Sequence, residues 1–255
     1  MPLVLENQVA IITGAGRGLG KAYALRFAEE GAKLLLPDIS LERAENTAKE
    51  INSNGGEALA VEADISNEND TLKIAEAVMQ RYGKADILLN NAAKYYGVEH
   101  KSWDAWTVAE WDEMFEVNVK GTWMCCKAIA PIMRNQSRGK IINIASNVAR
   151  VPGAHALLPY ACSKGAVYTL THALAKALGK YGINVNAIAP GYTATEASLS
   201  QSDTERTSQS SVSLQSIPRR EEPTDLVGTA VFLASKDSDF ITGQIFYVDG
   251  GLVMI

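Results

Sequence analysis

The sequence predicts an α/β fold in which helices flank both faces of one doubly wound, mostly parallel sheet of about seven strands. Two observations support this prediction. Short, almost purely apolar segments recur along the chain, which is typical of parallel strands buried on both faces. Helical segments lie between them, and strict alternation of strand and helix implies right-handed crossovers. No Pro/Gly-rich linker or internal repeat interrupts this order, so residues 1–255 are predicted to form a single domain.

The predicted elements follow one another in regular order. The strands are 8–13, 32–37, 57–62, 85–90, 140–145, 183–189 and 244–249. The helices are 18–30, 41–53, 67–82, 108–135, 159–181 and 223–235. In the fifth of these helices, apolar side chains repeat at helical spacing and form one apolar face.

The polar segment 198–216 departs from this alternation. Its Ser, Gln and Thr residues show no apolar stripe that could join a core, which predicts a mobile surface segment. It follows the carboxyl end of a predicted strand, where open α/β sheets bind their ligands. Residues 193–216 are therefore expected to form either a mobile lid over a substrate cleft or a surface loop without that role.

The charge balance excludes one class of partner. The 24 Lys and Arg residues against 29 Asp and Glu residues give a net charge of -5, and no basic tract is present to neutralise phosphates. Nucleic-acid binding is therefore not expected. No apolar segment reaches the ~18 residues that a membrane helix requires, and the first residues lack the features of a secretory signal. We expect no membrane association and a cytoplasmic location.

The cysteines and histidines predict neither a disulfide nor a metal site. The chain has three cysteines, and two of them, Cys125 and Cys126, are adjacent, which disfavours a bridge between them. A sparse, odd set of this kind is typical of a reducing compartment. The three histidines lack ligand spacing with one another or with the cysteines, so no metal is expected.

A glycine-rich segment, TGAGRGLG at 13–20, lies directly between the first predicted strand and the first predicted helix. Gly14, Gly18 and Gly20 permit a tight turn, close approach of the backbone and packing of the helix on the strand. Free amide groups at the helix N-terminus would face a bound anion, so this turn predicts a pyrophosphate site. A strand-to-helix connection that simply needs glycine is the alternative interpretation.

Asp38 ends the second predicted strand, where a carboxylate can accept hydrogen bonds from both hydroxyls of an adenosine ribose. It would repel a 2′-phosphate, since two like charges about 4 Å apart at a dielectric near 20 correspond to about 4 kcal/mol. We therefore expect NAD rather than NADP. Two alternatives stay open: Arg17 could bind the extra phosphate, and Asp38 could be an ordinary residue at a helix start.

Tyr160 and Lys164 lie four residues apart at a helix start marked by Pro159, so their side chains share one face. A neighbouring ammonium and a cationic nicotinamide would both favour the phenolate, lowering a tyrosine pKa that is ordinarily about 10. The pair therefore predicts a tyrosine that exchanges protons near neutral pH. A Tyr/Lys pair at this spacing is also typical of a solvated helix face.

Ordered motifs make residues 8–251 resemble the short-chain dehydrogenase/reductase family. TGAGRGLG is similar to the family's TGxxxGxG cofactor turn, and NNAA at 90–93 to its NNAG motif, with Ala93 in place of the usual glycine. Pro190 and Gly191 with Thr195 resemble its PGxxxT segment, and VDGG at 248–251 resembles its C-terminal signature. The resemblance implies a Rossmann-type fold and reversible hydride transfer between a nicotinamide and an alcohol carbon.

The resemblance also implies an Asn-Ser-Tyr-Lys catalytic tetrad, here Asn118, Ser146, Tyr160 and Lys164. Tyr160 would act as general base or acid, and Ser146 would hydrogen-bond the substrate oxygen where negative charge develops. Lys164 would lower the tyrosine pKa and hold the nicotinamide ribose, and Asn118 would position a water that passes the proton on. The alternatives are that Ser146 merely ends a strand and that Asn118 satisfies backbone groups.

The same matches carry over two sets of contacts. The expected NAD contacts are Gly14, Arg17, Gly18, Leu19, Gly20, Asp38, Asp64, Ile65, Asn91, Ala92, Tyr160, Lys164, Pro190, Gly191, Thr193 and Thr195. The expected substrate pocket comprises Ser146, Asn147, Val148, His155, Leu157, Tyr160 and Tyr192. Aromatic residues of the loop 94–110 are expected either to shape substrate entry or to pack at a subunit contact.

The mostly apolar pocket favours a neutral secondary alcohol or ketone, because no Arg/Lys cluster is available for a dianion. The segments 195–198 and 217–244 resemble family members that act on aryl or alicyclic secondary alcohols. Two alternatives remain: a 3-oxoacyl-acyl-carrier-protein reductase, which the acidic charge disfavours, and a non-catalytic NAD-binding sensor on the same fold. The resemblance implies a homotetramer as well.

Overall fold

The computed structural model describes residues 3–151, 154–199 and 204–254. In this part of the chain seven parallel strands form one sheet in the order β3-β2-β1-β4-β5-β6-β7. The strands are β1 Val9–Ile12, β2 Lys33–Asp38, β3 Glu57–Glu62, β4 Ile87–Asn90, β5 Gly139–Ile144, β6 Ile183–Pro190 and β7 Ile245–Val248. The helices are α1 Gly18–Glu29, α2 Leu41–Ser53, α3 Glu68–Tyr82, α4 Val108–Phe115, α5 Thr122–Asn135, α6 Leu158–Leu178, α7 Glu196–Leu199, α8 Thr204–Leu214 and α9 Pro223–Ala234.

The sheet is covered on both faces because successive residues of each strand point to opposite sides. In β1, Ala10 and Ile12 belong to the core beneath α1 and α9, where Phe27 is fully buried. Val9 and Ile11 belong to the opposite core, beneath α3 and α5. Burial of each large apolar side chain contributes about 1.5–3 kcal/mol, so both layers hold the sheet in place.

The strand order creates the position of the site. From β1 the chain runs outward through β2 and β3 and then returns to add β4 on the other side of β1. Open α/β sheets bind ligands in the crevice at the carboxyl ends of the two strands where this direction reverses. Thr13 and Asn91, which follow β1 and β4, lie at that crevice.

The structure confirms the fold class and changes three element predictions. The helix predicted over 108–135 is interrupted between α4 and α5 by a π-helical turn, Glu116–Gly121. The helix predicted over 159–181 ends at Leu178 and continues as one 3₁₀ turn, Gly179–Tyr181. The segment 198–216, expected to be mobile, contains α8. Ends of other elements move by one or two residues, where hydrogen bonding rather than hydrophobicity defines the boundary.

No helix in the described ranges combines the length and apolar character needed to cross a membrane. The described cysteines are all free, with Cys125 and Cys126 buried in α5 and Cys162 exposed on α6.

Candidate active site

A cavity of about 1040 Å³ runs along the carboxyl edge of the sheet. One end is lined by Asp38 and Ile65, which follow neighbouring strands. Ser146 and Tyr160 line its middle, and Thr207 of α8 lines the far end. The dimensions and the position at the strand reversal match those of a binding site for a nucleotide together with a second small molecule.

The glycine turn after β1 forms the wall beside Asp38. Gly14 has φ +66°, and a Cβ there would lie 2.9 Å from the Cα of Ala92. A Cβ at Gly20 would lie 2.0 Å from the carbonyl oxygen of Gly14, closer than any real contact. Glycine is therefore required at both positions, and the turn brings bare backbone to the cavity where α1 begins.

The NNAA segment after β4 is hydrogen-bonded to the glycine turn. The Thr13 hydroxyl accepts hydrogen bonds from the amides of Asn91 and Ala92, both at 3.0 Å. The Asn91 side chain donates to the carbonyl oxygens of Thr13 and Gly14 at 3.0 and 3.2 Å. The carboxyl ends of β1 and β4 are thereby held in one rigid unit around the turn.

Asp38 is buried at the end of β2, 6% exposed, with its carboxylate held by backbone donors. Oδ2 accepts from the amide of Gly16 and Oδ1 from the amide of Ser40, both at 2.9 Å. Arg43 Nη2 lies 3.8 Å from Oδ1. The carboxylate is therefore fixed at the cavity rim with a cation close by, and Arg43 is a residue that the sequence prediction did not include.

Asp64 and Ile65 follow the carboxyl end of β3 and line the end of the cavity where Asp38 lies. Asp64 Oδ1 accepts from both the amide and the hydroxyl of Ser66, which orients the turn. Ile65 packs against Gly121, where a Cβ would lie 2.9 Å from the Ile65 side chain. The π-helical turn that carries Asn118 therefore sits directly against this end of the site.

Tyr160, Lys164 and Ser146 converge in the middle of the cavity. Lys164 is 3% exposed, and its Nζ donates to the carbonyl oxygen of Ile144 at 2.7 Å while lying 5.6 Å from the centroid of the Tyr160 ring. Ser146 is buried, and its carbonyl oxygen accepts from the Tyr168 hydroxyl at 2.6 Å. The α6 backbone places the phenol and the ammonium on one face, as their spacing requires.

In the protein alone, burial dominates the acid–base balance of this group. Burial raises the pKa of Tyr160, Tyr95 raises it further, and the hydrogen bond with Ser146 acts in the opposite direction. Burial lowers the pKa of Lys164 to about 8. The lowering of the tyrosine pKa by Lys164 therefore stays a prediction for the protein with its cofactor bound, because in the protein alone burial acts in the opposite direction.

Asn118 is 1% exposed and is not among the residues that line the cavity. Its side-chain amide donates to Ser163 Oγ at 3.1 Å and to the carbonyl oxygen of Lys94 at 3.3 Å. Its oxygen accepts from the Lys94 amide at 2.7 Å. Asn118 therefore joins the π-helical turn to α6 and to the loop after β4; π-helical turns of this kind occur frequently at functional sites.

The loop 94–110 contributes aromatic side chains to the cavity. The Tyr95 ring lies 4.9 Å from the Tyr160 ring, centroid to centroid, and both line the site. The Arg17 guanidinium lies 4.1 Å above the Tyr96 ring, a cation–π contact across the glycine turn. Trp103 is exposed and is not part of the lining. Of the two roles expected for this loop, shaping the cavity therefore applies to its two tyrosines.

Helices α7 and α8, here called the lid, cover the far end. Thr207, Ser210, Ser211 and Leu214 line the cavity at a spacing of three, four and seven residues, so one face of α8 is turned inward. The segment was expected to be mobile because three of these four residues carry hydroxyls and only Leu214 is apolar. In α7, the Glu196 carboxylate accepts from the Gly18 amide at 3.1 Å, so the lid touches the glycine turn.

The structure brings most predicted site residues to the cavity. Three do not line it: Gly20, Asn118 and His155. Gly20 is buried under the turn, and His155 is exposed while its neighbours Ala156 and Leu157 line the cavity, so the role of His155 as a pocket residue stays a prediction. A short 3₁₀ helix, Ala154–Leu157, turns the imidazole outward.

Several cavity or contact residues were not named individually by the sequence analysis, although some of them belong to the segment 193–216 that it considered as a lid. They are Arg43, Glu196, Arg206, Thr207, Ser210, Ser211, Leu214, Glu221 and Leu252. The helical spacing of the polar residues of α8 could have been detected in the sequence. The other residues in this set have no such signal, because only tertiary contacts bring them to the site. In the described ranges, no group of three or more His, Cys, Asp or Glu side chains could hold a metal ion.

Comparison with known proteins gives the family. A family model described as enoyl-(acyl carrier protein) reductase matches residues 14–253. The chain belongs to the short-chain dehydrogenase/reductase family. Among curated relatives it is 39% identical to a hydroxy(phenyl)methylsuccinyl-CoA dehydrogenase subunit, BbsD, of Thauera aromatica, over 97% of each chain. It is 38% identical to galactitol 2-dehydrogenase of Agrobacterium fabrum, over 97% of this chain and 98% of the relative.

A further curated relative is a 3-oxoacyl-acyl-carrier-protein reductase of Synechocystis sp., 36% identical over 98% of each chain. Among solved structures, 7α-hydroxysteroid dehydrogenase complexed with NADH and a 7-oxo bile acid superposes with a TM-score of 0.90 at 33% identity, covering 98% of this chain and 96% of the other. A levodione reductase gives a TM-score of 0.90 at 31% identity, covering 96% and 97%.

The family binds nicotinamide cofactors, and the site fits such a group. Gly14 and Gly20 let the turn pack closely against Asn91 and Ala92, which brings its backbone and the N-terminus of α1 to the cavity. The Asp38 carboxylate, held at the rim by two backbone donors, supplies the acceptor that ribose hydroxyls need.

Proposed function

We propose that the chain is an NAD(H)-dependent oxidoreductase that interconverts a secondary alcohol and a ketone. One observation carries the proposal: Ser146, Tyr160 and Lys164 converge midway along the same cavity that has the glycine turn and Asp38 at one end. A dinucleotide of extended shape would place its adenosine at Asp38 and its nicotinamide beside Tyr160. The space between Tyr160 and the lid is then left for the substrate.

The proposed chemistry assigns proton transfer to Tyr160. When bound, the nicotinamide supplies the carbon that accepts or returns the hydride. The phenolate of Tyr160 removes the hydroxyl proton during oxidation, and the neutral phenol returns it during reduction. The Ser146 hydroxyl donates a hydrogen bond to the substrate oxygen, where negative charge develops. Because burial raises the pKa of Tyr160, the phenolate needs the positive charge of an oxidised cofactor and of Lys164 close by.

Lys164 and Asn118 are assigned supporting roles. At pH below about 8 Lys164 is mainly an ammonium, and it is anchored by the Ile144 carbonyl oxygen, so it offers a fixed positive charge and further donors for a ribose. Asn118 holds the backbone of Lys94 beside α6, and we propose that it supports the water through which the proton leaves. The tetrad would then form a path from the substrate oxygen to solvent.

We infer that NAD is preferred over NADP. The Asp38 carboxylate is already held by the Gly16 and Ser40 amides, so it cannot easily turn away from a 2′-phosphate. Arg43 at 3.8 Å weakens the repulsion, and Arg17 is engaged with the Tyr96 ring. Steady-state kinetics with both cofactors test this inference. Equal or better kcat/KM with NADP would contradict it.

The substrate proposed is a neutral aryl or alicyclic secondary alcohol or the matching ketone. Tyr95, Tyr192 and Leu157 line the part of the cavity next to Tyr160, and aromatic rings pack well against a flat or cyclic substrate. The curated relative with a phenyl-bearing substrate name and the levodione reductase neighbour support this class.

A polyol is a second candidate, favoured by one observation. The inward face of α8 presents the hydroxyls of Thr207, Ser210 and Ser211, which can hydrogen-bond a substrate with several hydroxyl groups. The 38% identity to galactitol 2-dehydrogenase is consistent with it. A 3-oxoacyl thioester is a further alternative, supported by the relative from Synechocystis sp..

A screen of NAD reduction separates these candidates. The panel contains aryl and alicyclic secondary alcohols of graded size and linear polyols, and a 3-oxoacyl thioester is assayed in the reductive direction. The proposal expects the highest kcat/KM with a cyclic or aryl alcohol. Higher kcat/KM with polyols or with the thioester would replace it by that alternative. Binding of NAD without turnover of any compound would instead support the sensor. The homotetramer and the cytoplasmic location stay predictions.

A further inference from the structure

One buried carboxyl group, that of Glu221, has no part in the proposed chemistry. It lies where the lid joins the cavity wall beside Tyr160. Glu221, between α8 and α9, is 5% exposed. Its Oε1 accepts from the Thr193 hydroxyl at 2.7 Å, and its Oε2 accepts at 3.1 Å from the Gly191 amide, which also donates to the Val248 carbonyl oxygen at 3.1 Å. Both donors belong to the segment that follows β6 and lines the cavity beside Tyr160. A single carboxylate thus holds two points of the cavity wall.

The backbone of Glu221 adds a second connection. Its carbonyl oxygen accepts from the Ala194 amide at 2.8 Å, and Thr193 pairs with Glu221 in an isolated parallel bridge. Thr193 lies just before the lid and Glu221 just after it. The two ends of the lid are therefore joined at one residue, and the carboxylate reinforces the junction.

The junction between Glu221 and the segment after β6 is tightly packed. A Cβ on Gly191 would lie 2.6 Å from Glu221 Oε2 and 3.1 Å from the Cβ of Asp249. Asp249 is itself 3% exposed and accepts from the Asn147 side chain at 3.0 Å, next to Ser146. A change in the Glu221 carboxyl group is consequently transmitted directly to the backbone of Gly191.

The charged surroundings make this carboxyl group sensitive to pH. The titratable groups that face it are Tyr23 of α1, Arg219, Asp225 of α9 and Asp249 after β7. Burial raises the pKa of Glu221 to about 7; the hydrogen bonds from Thr193 and Gly191 oppose the increase, and the two aspartates add to it. The group therefore changes its protonation state near neutral pH.

We propose that Glu221 is a positioning residue whose buried carboxyl group fixes Gly191 and Thr193 at the nicotinamide end of the cavity and connects both ends of the lid. This proposal rests on the proposed function for its consequence on cofactor binding. In the ionised form the carboxylate accepts both hydrogen bonds; in the protonated form one oxygen donates to the Thr193 hydroxyl, which can also accept, and the other still accepts from the Gly191 amide. Because burial raises the pKa of Glu221, the closed junction binds this proton more tightly than an open one, so the junction is more stable below about pH 7 and less stable above it.

The test compares the wild type, Glu221→Gln and Glu45→Gln. Glu45 is exposed on α2, so its variant removes the same charge away from the junction. Hydrogen–deuterium exchange of the peptides covering 190–195 is measured at about pH 6 and about pH 8, corrected for intrinsic rates, and NADH affinity is measured by fluorescence under the same conditions. A second variant, Thr193→Val, removes one donor while leaving the carboxyl group in place.

On going from about pH 8 to about pH 6, the wild type and Glu45→Gln should gain about tenfold protection in this segment, and NADH affinity should rise, because the closed junction binds the proton of Glu221 more tightly than an open one. Glu221→Gln, which is uncharged like the protonated carboxyl group, should match the wild type at about pH 6 and show little dependence on pH. Protection in Glu221→Gln that matches the wild type at both pH values would overturn the proposal, as would a wild-type segment insensitive to pH. If protection changes as expected but neither the wild type nor any variant binds NADH, the positioning role of Glu221 is supported and the proposal of a nicotinamide cofactor is wrong.

Discussion

The two ends of the cavity are constructed in different ways. At the cofactor end, backbone groups of buried strands and a glycine turn form the wall, and the Gly14 amide donates to the Pro37 carbonyl oxygen at 2.8 Å. At the lid end, hydroxyl side chains of α8 form the wall, and the helix has no apolar stripe beneath it. Recognition of the cofactor thus depends on main-chain geometry, whereas recognition of the substrate depends on side chains of a segment held by few contacts.

The largest expected effect concerns the point where the two ends meet. Tyr160→Phe removes the phenolic oxygen and leaves the ring that packs against Tyr95. We expect kcat to fall by about 10² to 10⁴, the range typical of a general acid–base group, with NADH affinity changed less than about threefold. Steady-state kinetics and fluorescence titration measure the two quantities. Tyr181→Phe, which alters a tyrosine beyond the far end of α6, is the control, and a kcat within tenfold of the wild type would contradict the assignment.

The next prediction concerns the cofactor end of the cavity alone. In Gly20→Ala the new methyl group would meet the Gly14 carbonyl oxygen at 2.0 Å, so the turn must shift. Overpacking of about 2 kcal/mol corresponds to roughly 30-fold weaker NADH binding. Gly179→Ala is the matched control, because a Cβ at Gly179 has no heavy atom within 4 Å and the φ of −56° suits alanine. Unchanged affinity in Gly20→Ala would show that the turn does not hold the dinucleotide.

A smaller effect concerns cofactor choice. Asp38→Ser removes the carboxylate held by Gly16 and Ser40 and leaves Arg43 without its counter-charge. The ratio of kcat/KM for NAD to that for NADP should fall by about tenfold or more. Asp112→Ser, an exposed change on α4, should leave the ratio unchanged. An unaltered ratio in Asp38→Ser would mean that another residue selects the cofactor.

The smallest effect involves the contact between the two ends. The Glu196 carboxylate of the lid accepts from the Gly18 amide, at the turn where a pyrophosphate is proposed to bind. Glu196→Gln should therefore raise NADH affinity about two- to fivefold at low salt, an effect limited by solvent exposure and reduced by added salt. Glu45→Gln removes an exposed charge on α2 instead, so the difference in NADH affinity between the two variants measures the effect of the contact between Glu196 and Gly18. Weaker NADH binding in Glu196→Gln would show that the carboxylate assists the cofactor instead of competing with it.

The same contrast explains what the sequence could predict. The strands and the glycine turn are local features, because apolar segments and glycine spacing encode them directly, and Gly14, Asp38 and Tyr160 were all identified in this way. The lid helix was missed because three of the residues on its inward face, Thr207, Ser210 and Ser211, are polar. The exposure of His155 depends on a 3₁₀ turn that the sequence did not predict, and the roles of Glu196 and Glu221 arise only from contacts between distant segments.

The pKa of Tyr160 illustrates the same limit. The four-residue spacing from Lys164 was visible in the sequence, but the extent of burial was not, and burial decides the direction of the shift. A sequence can therefore place two charged or polar groups on one helix face without giving the balance between desolvation and attraction.

In the proposed function Tyr160 exchanges a proton with a substrate held beside a bound dinucleotide. A crystal structure of the protein with NADH is the decisive test of this arrangement. We expect the adenosine against Asp38, the pyrophosphate on the Gly14–Gly20 turn, and the nicotinamide C4 facing the Tyr160 oxygen across a gap of about 4 Å that a substrate carbon can fill. A nicotinamide bound elsewhere, or a phenol turned away from C4, would contradict it.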